Sequence, residues 1–354
     1  MIKAELTAID AKFEAQKIAF SPIFFQAILA MRDLGVLQYI YAKRGNAIVA
    51  DIYKEMNLTK YAIEVMVEAA TVMNVVEVEN GKAKVTKVGY YMLKDEMTRV
   101  NVNFINDVCY DGAKFLKESL AEEKPVGLQV FGDWQTVYQG LAHLTPSVRK
   151  SWLEFDHFYS QDAFDEALKI VFSEKPKYLF DIGGNTGKWA FKCCEFDENV
   201  NVKILDLPGQ IAMAKINTEE KGLIGRIDFH PINILDASQK IPKGASVIWM
   251  SQFLDCFSEK EISLILNNCA QASDENTFIY IMEPFIDNQE FPAAEFSLVG
   301  TSLYFTCIAN GNSKMYKISV MEDLVNKAGM EVCHVFPLIG DSYHTILKCR
   351  LKKD

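Results

Sequence analysis

The sequence predicts an α/β fold, in which a mostly parallel sheet of seven strands follows a mainly helical N-terminal half. The chain has 354 residues, which is longer than one hydrophobic core usually supports. Its composition, 49% hydrophobic and 24% charged, is that of an ordinary globular protein. From about residue 177 short apolar strands alternate with helical segments, a pattern typical of a parallel sheet. We therefore expect an N-terminal domain over 1–105, a helical connector over 106–165 and an α/β domain over 166–354.

Charge and cysteine usage exclude several function classes. The net charge is −10, which argues against nucleic acid and anionic membranes as partners. The eight cysteines form no C-x-x-C pair, and the five histidines lack metal-ligand spacing. The longest apolar stretch, around residues 20–31, contains polar residues and is too short to cross a bilayer. We expect a reduced, cytoplasmic protein with no metal site.

The first strong helix signal is Ser21-Pro22, an N-cap residue followed by proline at the first helical position. The helix predicted from Pro22 to about Tyr39 is apolar nearly all the way round. Such a helix is buried on several sides, and a small domain supplies little cover. A partner subunit supplies the rest, so the sequence predicts a homodimer.

Residues 46–90 have the outline of a winged helix. A short helix, a turn, a second helix capped by Thr59 and a hairpin around Asn80-Gly81 follow in order. Such a domain either binds DNA or serves a structural, dimerising purpose. Between Asn46 and Thr98 there are six lysines and no arginine against eight acidic residues, a net charge of −2. This charge favours dimerisation, because DNA binding requires cations directed at phosphates.

The connector is rich in aromatic residues, and we expect some of them to line a cavity for a small molecule. The strands predicted after it are 178–182, 202–206, 227–231, 246–251, 277–283 and a closing antiparallel pair near 331–338 and 343–350.

The most informative motif is Asp181-Ile-Gly-Gly-Asn-Thr-Gly187, which lies between a strand and a helix. Glycines there allow a sharp turn and the close approach of a ligand. Asp206 follows Gly187 by nineteen residues, at the end of the next strand, where a carboxylate can accept both hydroxyls of a ribose. Neither G-x-G-x-x-G nor a phosphate-binding G-x-x-x-x-G-K-[ST] is present. The pattern indicates an adenosine ligand without phosphates.

Four segments, FDIGGNTG, ILDLP (204–208), QFLDCFSEKE (252–261) and IMEPF (281–285), resemble the class I S-adenosylmethionine-dependent methyltransferases. More narrowly, the chain is similar to the small-molecule O-methyltransferases of plant phenolic and bacterial polyketide metabolism. Those enzymes have a winged-helix dimerisation domain before a Rossmann-like domain. The resemblance implies S-adenosylmethionine as cofactor and a hydroxyl of an aromatic or polyketide-like small molecule as methyl acceptor.

The resemblance also implies the cofactor contacts. Asp206 holds the ribose, and Ser251 stands where the family usually has lysine or arginine. The other implied contacts are with the methionine part (Gly183, Gly184 and Gly187) and around the adenine (Leu207, Asn233 and Ile234).

The departure from the family concerns the catalytic base. The family has a His-Asp-Trp triplet after the fourth strand, with histidine as base, where this chain has Asp255, Cys256 and Phe257. Glu283 matches the glutamate that orients that histidine, and the family's methionine near the sulfonium falls near Tyr159.

Three explanations for the missing histidine stay open. Asp255 acts as base with its pKa raised by Glu283, the acceptor is acidic enough to need no base, or the site has other chemistry. Other chemistry includes hydroxylation or decarboxylation, and a winged-helix regulator sensing an adenosine ligand is a further alternative. His157, near the expected pocket with Phe155 and Tyr159, is an alternative base. Tyr304 and Tyr316 are additional candidates for the acceptor pocket.

Overall fold

The structure, a computed structural model, describes residues 6–161, 163–341 and 343–353, with backbone alone at 160 and 161. It divides into two compact units, the first ending at Val102 and the second beginning at Asn103. The three-part division at 105 and 165 stays a prediction.

The first unit combines helices with a small antiparallel sheet in the strand order β1-β3-β2. Its elements are α1 (Ala8–Asp33), α2 (Val36–Ala42), β1 (Ala47–Ile48), α3 (Val49–Met56), α4 (Lys60–Val72), β2 (Val76–Glu79), β3 (Lys82–Val85) and α5 (Lys87–Lys94), followed by α6 (Glu96–Phe104) across the boundary.

Local sequence signals explain the predicted winged-helix outline. Thr59 begins α4, and its side chain accepts a hydrogen bond from the backbone N–H of Ala62 at 3.1 Å. Asn80 and Gly81 join β2 to β3 with positive φ angles of 50° and 73°, as a tight hairpin turn requires.

The N-terminal helix begins earlier than predicted. The expected start at Ser21-Pro22 is wrong, because Thr7 caps the helix by accepting the N–H of Asp10 and Pro22 lies inside it. Residues 8–20 are mostly good helix formers, and their propensity outweighs the one backbone donor that proline removes. The helix also ends earlier than Tyr39, since Gly35 adopts φ 77° before α2.

One side of α1 is covered within the unit and the other is open. Ile28 and Met31 are buried in the core of the unit. Ile9, Ile18 and Ile23 are 82%, 77% and 71% exposed. The predicted burial on several sides is therefore absent from the described part of a single chain.

The second unit is a sheet with helices on both faces. Its described α-helices and strands are α7 (Leu116–Glu122), α8 (Val137–Gly140), α9 (Pro146–Gln161), α10 (Phe164–Val171), β4 (Tyr178–Ile182), α11 (Lys188–Phe196), β5 (Asn201–Asp206), α12 (Pro208–Glu220), β6 (Ile227–Pro231), β7 (Val247–Ser251), α13 (Glu259–Ala272), β8 (Phe278–Glu283), α14 (Pro292–Tyr304), α15 (Ile318–Lys327), β9 (Met330–Ile339) and β10 (His344–Leu351).

The described strands of this sheet have the order β6-β5-β4-β7-β8-β10-β9, and β10 is antiparallel to both its neighbours. This confirms the predicted seven-stranded, mostly parallel sheet. The chain runs outward from β4 to β5 and β6, then returns to β7 on the other side of β4. Ligands of open α/β sheets bind at such a switch point, outside the carboxyl ends of the strands.

A pair of indoles joins helix and sheet in the core. Trp189 of α11 stacks on Trp249 of β7, with ring centroids 4.2 Å apart and an interplanar angle of 14°. Both rings are buried. On the opposite face, Ile248 and Ile279 of the strands pack against Leu266 of α13.

In the described ranges, no single helix meets the length and apolarity expected of a membrane span. The bent pair α1 and α2, at 61°, passes that test of length and composition when the two helices are taken together.

Candidate active site

The loop after β4 and the carboxylate of Asp206 form one hydrogen-bonded unit. Gly183, Asn185 and Gly187 have φ angles of 73°, 48° and 91°, so the loop needs glycine or asparagine at these positions. The N–H of Asn185 donates to Oδ2 of Asp206 at 2.8 Å, and the N–H of Leu207 donates to Oδ1 at 2.7 Å. The structure thus brings the glycine motif and Asp206 together at the switch point.

The glycines are also required by the packing of the protein itself. A Cβ at Gly183 would lie 2.3 Å from the ring of Phe253, and one at Gly184 would lie 2.5 Å from Oδ2 of Asp181. The first contact joins the glycine loop to the segment that follows β7.

Asp181 is a buried acid beneath this loop. It is 3% exposed, and its Oδ2 has no hydrogen-bond partner in the described part of the chain. Burial, with a smaller contribution from the nearby Asp206, raises the pKa of Asp181 to about 8. Burial also raises the pKa of Asp206, against the lowering effect of its two backbone donors.

Residues 252–257, which we call the reaction turn, follow β7. Asp255 lies in a 3₁₀ helix, Leu254–Cys256, beyond the end of β7 at Ser251. Asp255 therefore lies after the strand, as the strand predicted at 246–251 implies. Glu283 at the end of β8 holds the turn, because its Oε1 accepts the N–H groups of Phe253 and Leu254 at 3.1 and 2.8 Å.

Asp255 and Glu283 form a buried acidic pair, 5% and 3% exposed. Burial is the main cause that raises the pKa of both groups, and the charge of Asp255 adds to the effect on Glu283. The pKa of Asp255 rises to about 7. In the described part of the chain neither carboxyl forms an ion pair, and Oε2 of Glu283 has no hydrogen-bond partner.

Cys256 and Tyr138 support Asp255. The thiol of Cys256 donates to Oδ1 of Asp255 at 3.4 Å, and the hydroxyl of Tyr138 donates to the sulfur at 3.1 Å. The side-chain amide of Asn310 donates to the carbonyl of Cys256 at 2.7 Å. Burial raises the pKa of the thiol well above its usual range, which suits a donor and not a nucleophile.

Helix α9 carries the predicted pocket residues. Phe155 stacks on Phe104 with centroids 3.9 Å apart, and Tyr159 lies 5.0 Å from the ring of Phe155. The indole N–H of Trp152 donates to the hydroxyl of Tyr304 at 2.7 Å. These rings form an aromatic wall within the second unit.

Asp156 is a further candidate site residue, which the predictions from sequence did not include. Burial raises its pKa to about 6, and its charge acts on both Lys188, directly after the glycine loop, and Asp255. Burial, followed by the charge of Lys188, lowers the pKa of His157. An acid four residues after Trp152, inside an aromatic stripe, is the signal that identifies it.

The remaining candidates lie at the edges of the crevice or beyond it. Asn233 is exposed, and its Oδ1 accepts the N–H of Leu235 within its own turn. Leu207 is 46% exposed at the start of α12, while Ile234 and Ser251 are half-buried. Their cofactor contacts stay predictions.

Tyr316 is fixed in place by a hydrogen bond to the turn that carries Asp255. Its hydroxyl donates to the carbonyl of Phe257 at 2.7 Å. Its ring lines a groove of about 870 Å³ together with Ser258 and Asn312. Within the described ranges no group of three or more His, Cys, Asp or Glu is arranged to hold a metal ion.

The sequence profile of the O-methyltransferase domain matches residues 146–331, and that of the Dimerisation2-like domain matches residues 12–83. The chain belongs to the O-methyltransferase family. This confirms the predicted resemblance and makes the chain an S-adenosylmethionine-dependent methyltransferase. The enzyme hypothesis thereby prevails over the regulator.

Two curated relatives cover most of this O-methyltransferase. Bacteriochlorophyllide d C-20 methyltransferase of Chlorobaculum tepidum is 22% identical over 269 residues, 74% of this chain and 76% of that protein. The 3-hydroxy-5-methyl-1-naphthoate 3-O-methyltransferase of Streptomyces sahachiroi is 20% identical over 281 residues, 78% of this chain and 79% of that protein.

Solved structures share the fold. The S-adenosylmethionine-dependent methyltransferase SibL superposes with a TM-score of 0.72 at 19% identity, covering 95% of this chain and 98% of that one. The mitomycin 7-O-methyltransferase MmcR gives 0.69 at 16% identity, covering 97% and 98%.

The residues around the crevice of this O-methyltransferase fit the cofactor. Each oxygen of Asp206 accepts one backbone N–H and keeps a second acceptor position for a ribose hydroxyl. Oε1 of Gln252 and Oε2 of Glu283 are buried acceptors without donors in the described structure. S-adenosylmethionine brings hydroxyl and ammonium donors and a cationic sulfur, which such a set of acceptors requires.

Proposed function

We propose that this enzyme transfers a methyl group to a hydroxyl of an aromatic or polyketide-like small molecule, with Asp255 as general base. The observation that carries the proposal is the buried carboxyl of Asp255, held in the reaction turn beside Glu283 and the glycine loop.

Residues at the carboxyl ends of β4 to β7 hold the cofactor in this proposal. The glycine loop, with Gly183, Gly184 and Gly187, supports the methionine part of the cofactor, and Asp206 holds its ribose. Leu207, Asn233, Ile234 and Ser251 complete the cofactor contacts. When bound, S-adenosylmethionine supplies an electrophilic methyl group on a sulfonium. Much of the rate then depends on how the acceptor oxygen is positioned.

The raised pKa makes Asp255 a better base than an ordinary carboxylate. A phenol has a pKa of about 10 and a solvated carboxylate about 4, a mismatch of about six units. A pKa of about 7 for Asp255 halves that mismatch. Asp255 accepts the acceptor's proton at its carboxylate, while Glu283 holds the turn through its backbone hydrogen bonds.

The aromatic wall supports a flat acceptor. Phe155 and Tyr159 of α9 are half-buried, and the buried Phe104 stacks behind Phe155. Aromatic surfaces of this kind stack favourably on planar ligands. A relative that acts on a naphthoate is consistent with an acceptor of this kind. His157 belongs to the same helix and serves the pocket, not the base.

A screen of aromatic hydroxyl compounds with isotopically labelled cofactor, read by mass, identifies the acceptor. Asp255→Asn is expected to lower turnover by about 10²–10⁴-fold, the usual contribution of a general base, with unchanged affinity for S-adenosylhomocysteine. Wild-type kcat/KM is expected to fall below about pH 7, because protonation of Asp255 in the free enzyme removes the base.

His157→Gln provides the comparison. It is expected to change the KM for the acceptor and to leave the acidic limb of the pH profile in place. If Asp255→Asn turns over at the normal rate and His157→Gln loses the acidic limb of the pH profile, His157 is the base and Asp255 is not.

A second candidate is a carbon acceptor, which the C-20 methyltransferase relative favours. The two candidates differ in product, since a methyl on oxygen and one on carbon have distinct carbon chemical shifts in NMR.

We also propose that the chain is a homodimer through its N-terminal unit, supported by the Dimerisation2-like match and the exposed apolar face of α1. A cytoplasmic location is supported by the free thiols of the cysteines and stays a proposal.

A further inference from the structure

The acidic pair formed by Asp255 of the reaction turn and Glu283 of β8 has no cationic partner in the described part of the chain. Asp255 and Glu283 are both more than nine-tenths buried, and in the described part of the chain no cationic side chain bonds to either. Oε2 of Glu283 has no hydrogen-bond partner there. Burying an acceptor without a donor or a cation destabilises the folded protein. We therefore expect the pair to bind a group from outside the protein.

The position of the pair indicates which group that is. Phe253 of the reaction turn packs directly against Gly183 of the glycine loop. Oε1 of Glu283 binds the backbone of the same Phe253. The pair therefore lies beside the loop that supports the methionine part of the cofactor, the part that carries the sulfonium. This step rests on the cofactor role proposed above for the loop.

We propose that the Asp255–Glu283 pair is the counter-charge of the sulfonium: it holds a proton in the free enzyme, releases it when S-adenosylmethionine binds, and retains it when neutral S-adenosylhomocysteine binds. The carboxyl O–H bond breaks and the proton passes to the solvent. The site thus distinguishes the cofactor from its demethylated product by charge.

Several titratable groups face the pair from the surrounding elements. Asp156 of α9 opposes ionisation of Asp255, and the thiol of Cys256 favours it by donating to Oδ1. Tyr138 of α8 donates to that thiol, and Tyr316 before α15 lies near both acids. Tyr304 of α14 lies near Cys256 and Asp156. Lys188 of α11 faces Asp156.

These surroundings keep a proton on the pair near neutral pH. The tyrosines are neutral, because burial raises the pKa of each. Burial likewise raises the pKa of Asp255 to about 7. A cation beside the pair favours its ionised form.

Linkage gives the sign of the effect on binding. If the ionised pair binds the sulfonium, affinity for S-adenosylmethionine falls as pH is lowered below about 7. The fall approaches tenfold per pH unit for a single linked proton, while affinity for S-adenosylhomocysteine changes less.

Calorimetry counts the protons without any methyl transfer. Each ligand is titrated into the full-length protein at pH 6.5 in buffers of low and high ionisation enthalpy. The dependence of the observed heat on buffer gives the protons released. We expect S-adenosylmethionine to release up to one proton more than S-adenosylhomocysteine.

The double variant Asp255→Asn/Glu283→Gln is expected to abolish this difference, with folding verified by thermal unfolding. Asp228→Asn, an exposed acid near the other end of the sheet, is expected to retain it. Equal proton counts for the two ligands in the wild type would overturn the inference, as would a difference that survives in the double variant.

The result is independent of the acceptor. If no hydroxyl compound is methylated but the proton counts differ, the proposed acceptor class fails and the counter-charge stands. If methylation occurs with equal counts, only the counter-charge fails.

Discussion

Asp206 organises two segments of backbone before it meets any ligand. Its oxygens accept one N–H from the glycine loop and one from the start of α12. The variant Asp206→Ala is expected to weaken S-adenosylhomocysteine binding by about 10- to 150-fold, because a hydrogen bond to a charged group contributes about 1.5–3 kcal/mol. Calorimetry measures this, with the exposed Asp228→Asn as control. Unchanged affinity would remove Asp206 from the cofactor site.

Cys256 is the second residue whose effect can be isolated. Its thiol donates to Asp255 and so lowers that carboxyl's pKa against the effect of burial. Cys256→Ala is expected to move the acidic limb of the turnover profile to higher pH by about one unit or less, since thiols are weak donors.

Two matched variants define the cause of that shift. Cys256→Ser keeps a donor and is expected to restore the limb toward its wild-type position. Cys333→Ala removes an exposed thiol and is expected to leave the limb unchanged. A limb that stays in place in Cys256→Ala contradicts the role of the thiol.

At the scale of elements, the buried Asp181 of strand β4 makes the free energy of unfolding depend on pH. The folded state holds this proton up to about pH 8, whereas the unfolded chain releases it near pH 4. Between these values only the folded state is protonated. The free energy of unfolding therefore falls as pH rises, by at most about 1.4 kcal/mol per pH unit.

Asp181→Asn removes this titration. The midpoint temperature of thermal unfolding, measured without cofactor, is expected to fall less between pH 6 and pH 8 in the variant than in the wild type. The exposed Glu198→Gln serves as control and keeps the wild-type slope. Parallel slopes for the wild type and Asp181→Asn would show that the buried carboxyl does not titrate in this range.

Elements with a local chemical signal were predictable from the sequence. The hairpin at Asn80-Gly81, the cap at Thr59 and the apolar strands of the sheet all depend on neighbouring residues. The helix start predicted at Pro22 was wrong, because a longer helix-forming run begins at Ala8 and outweighs the local signal of the proline.

Long-range contacts were not predictable in the same way. Tyr138 donates a hydrogen bond to Cys256 across 118 residues of sequence, and Glu283 accepts the N–H of Leu254 across 29 residues. Nothing in either local segment encodes these hydrogen bonds. The glycine motif and Asp206 were found because their spacing reflects one strand–loop–helix–strand unit.

At the scale of the whole molecule, the open face of α1 predicts self-association. Ile23→Asp is expected to convert a dimer into a monomer at micromolar concentration, because an interface would have to bury an unpaired charge. Sedimentation velocity measures it, with Tyr61→Asp, 75% exposed on α4, as control. Ile28 is unsuitable for this test since it lies in the core of the unit. A wild-type monomer would contradict the proposed dimer.

The stacked indoles of Trp189 and Trp249 have a spectroscopic consequence. Two chromophores 4.2 Å apart couple their electronic transitions, and a fixed chiral arrangement gives a circular-dichroism couplet. One ring belongs to the helix after the glycine loop and the other to β7, so the couplet requires that these elements stay docked. A compact state with native helices but loosened packing would keep the helical bands of its far-ultraviolet spectrum and lose the couplet superimposed on them. The chain thus contains its own optical probe of tertiary order beneath the glycine loop, without any added label.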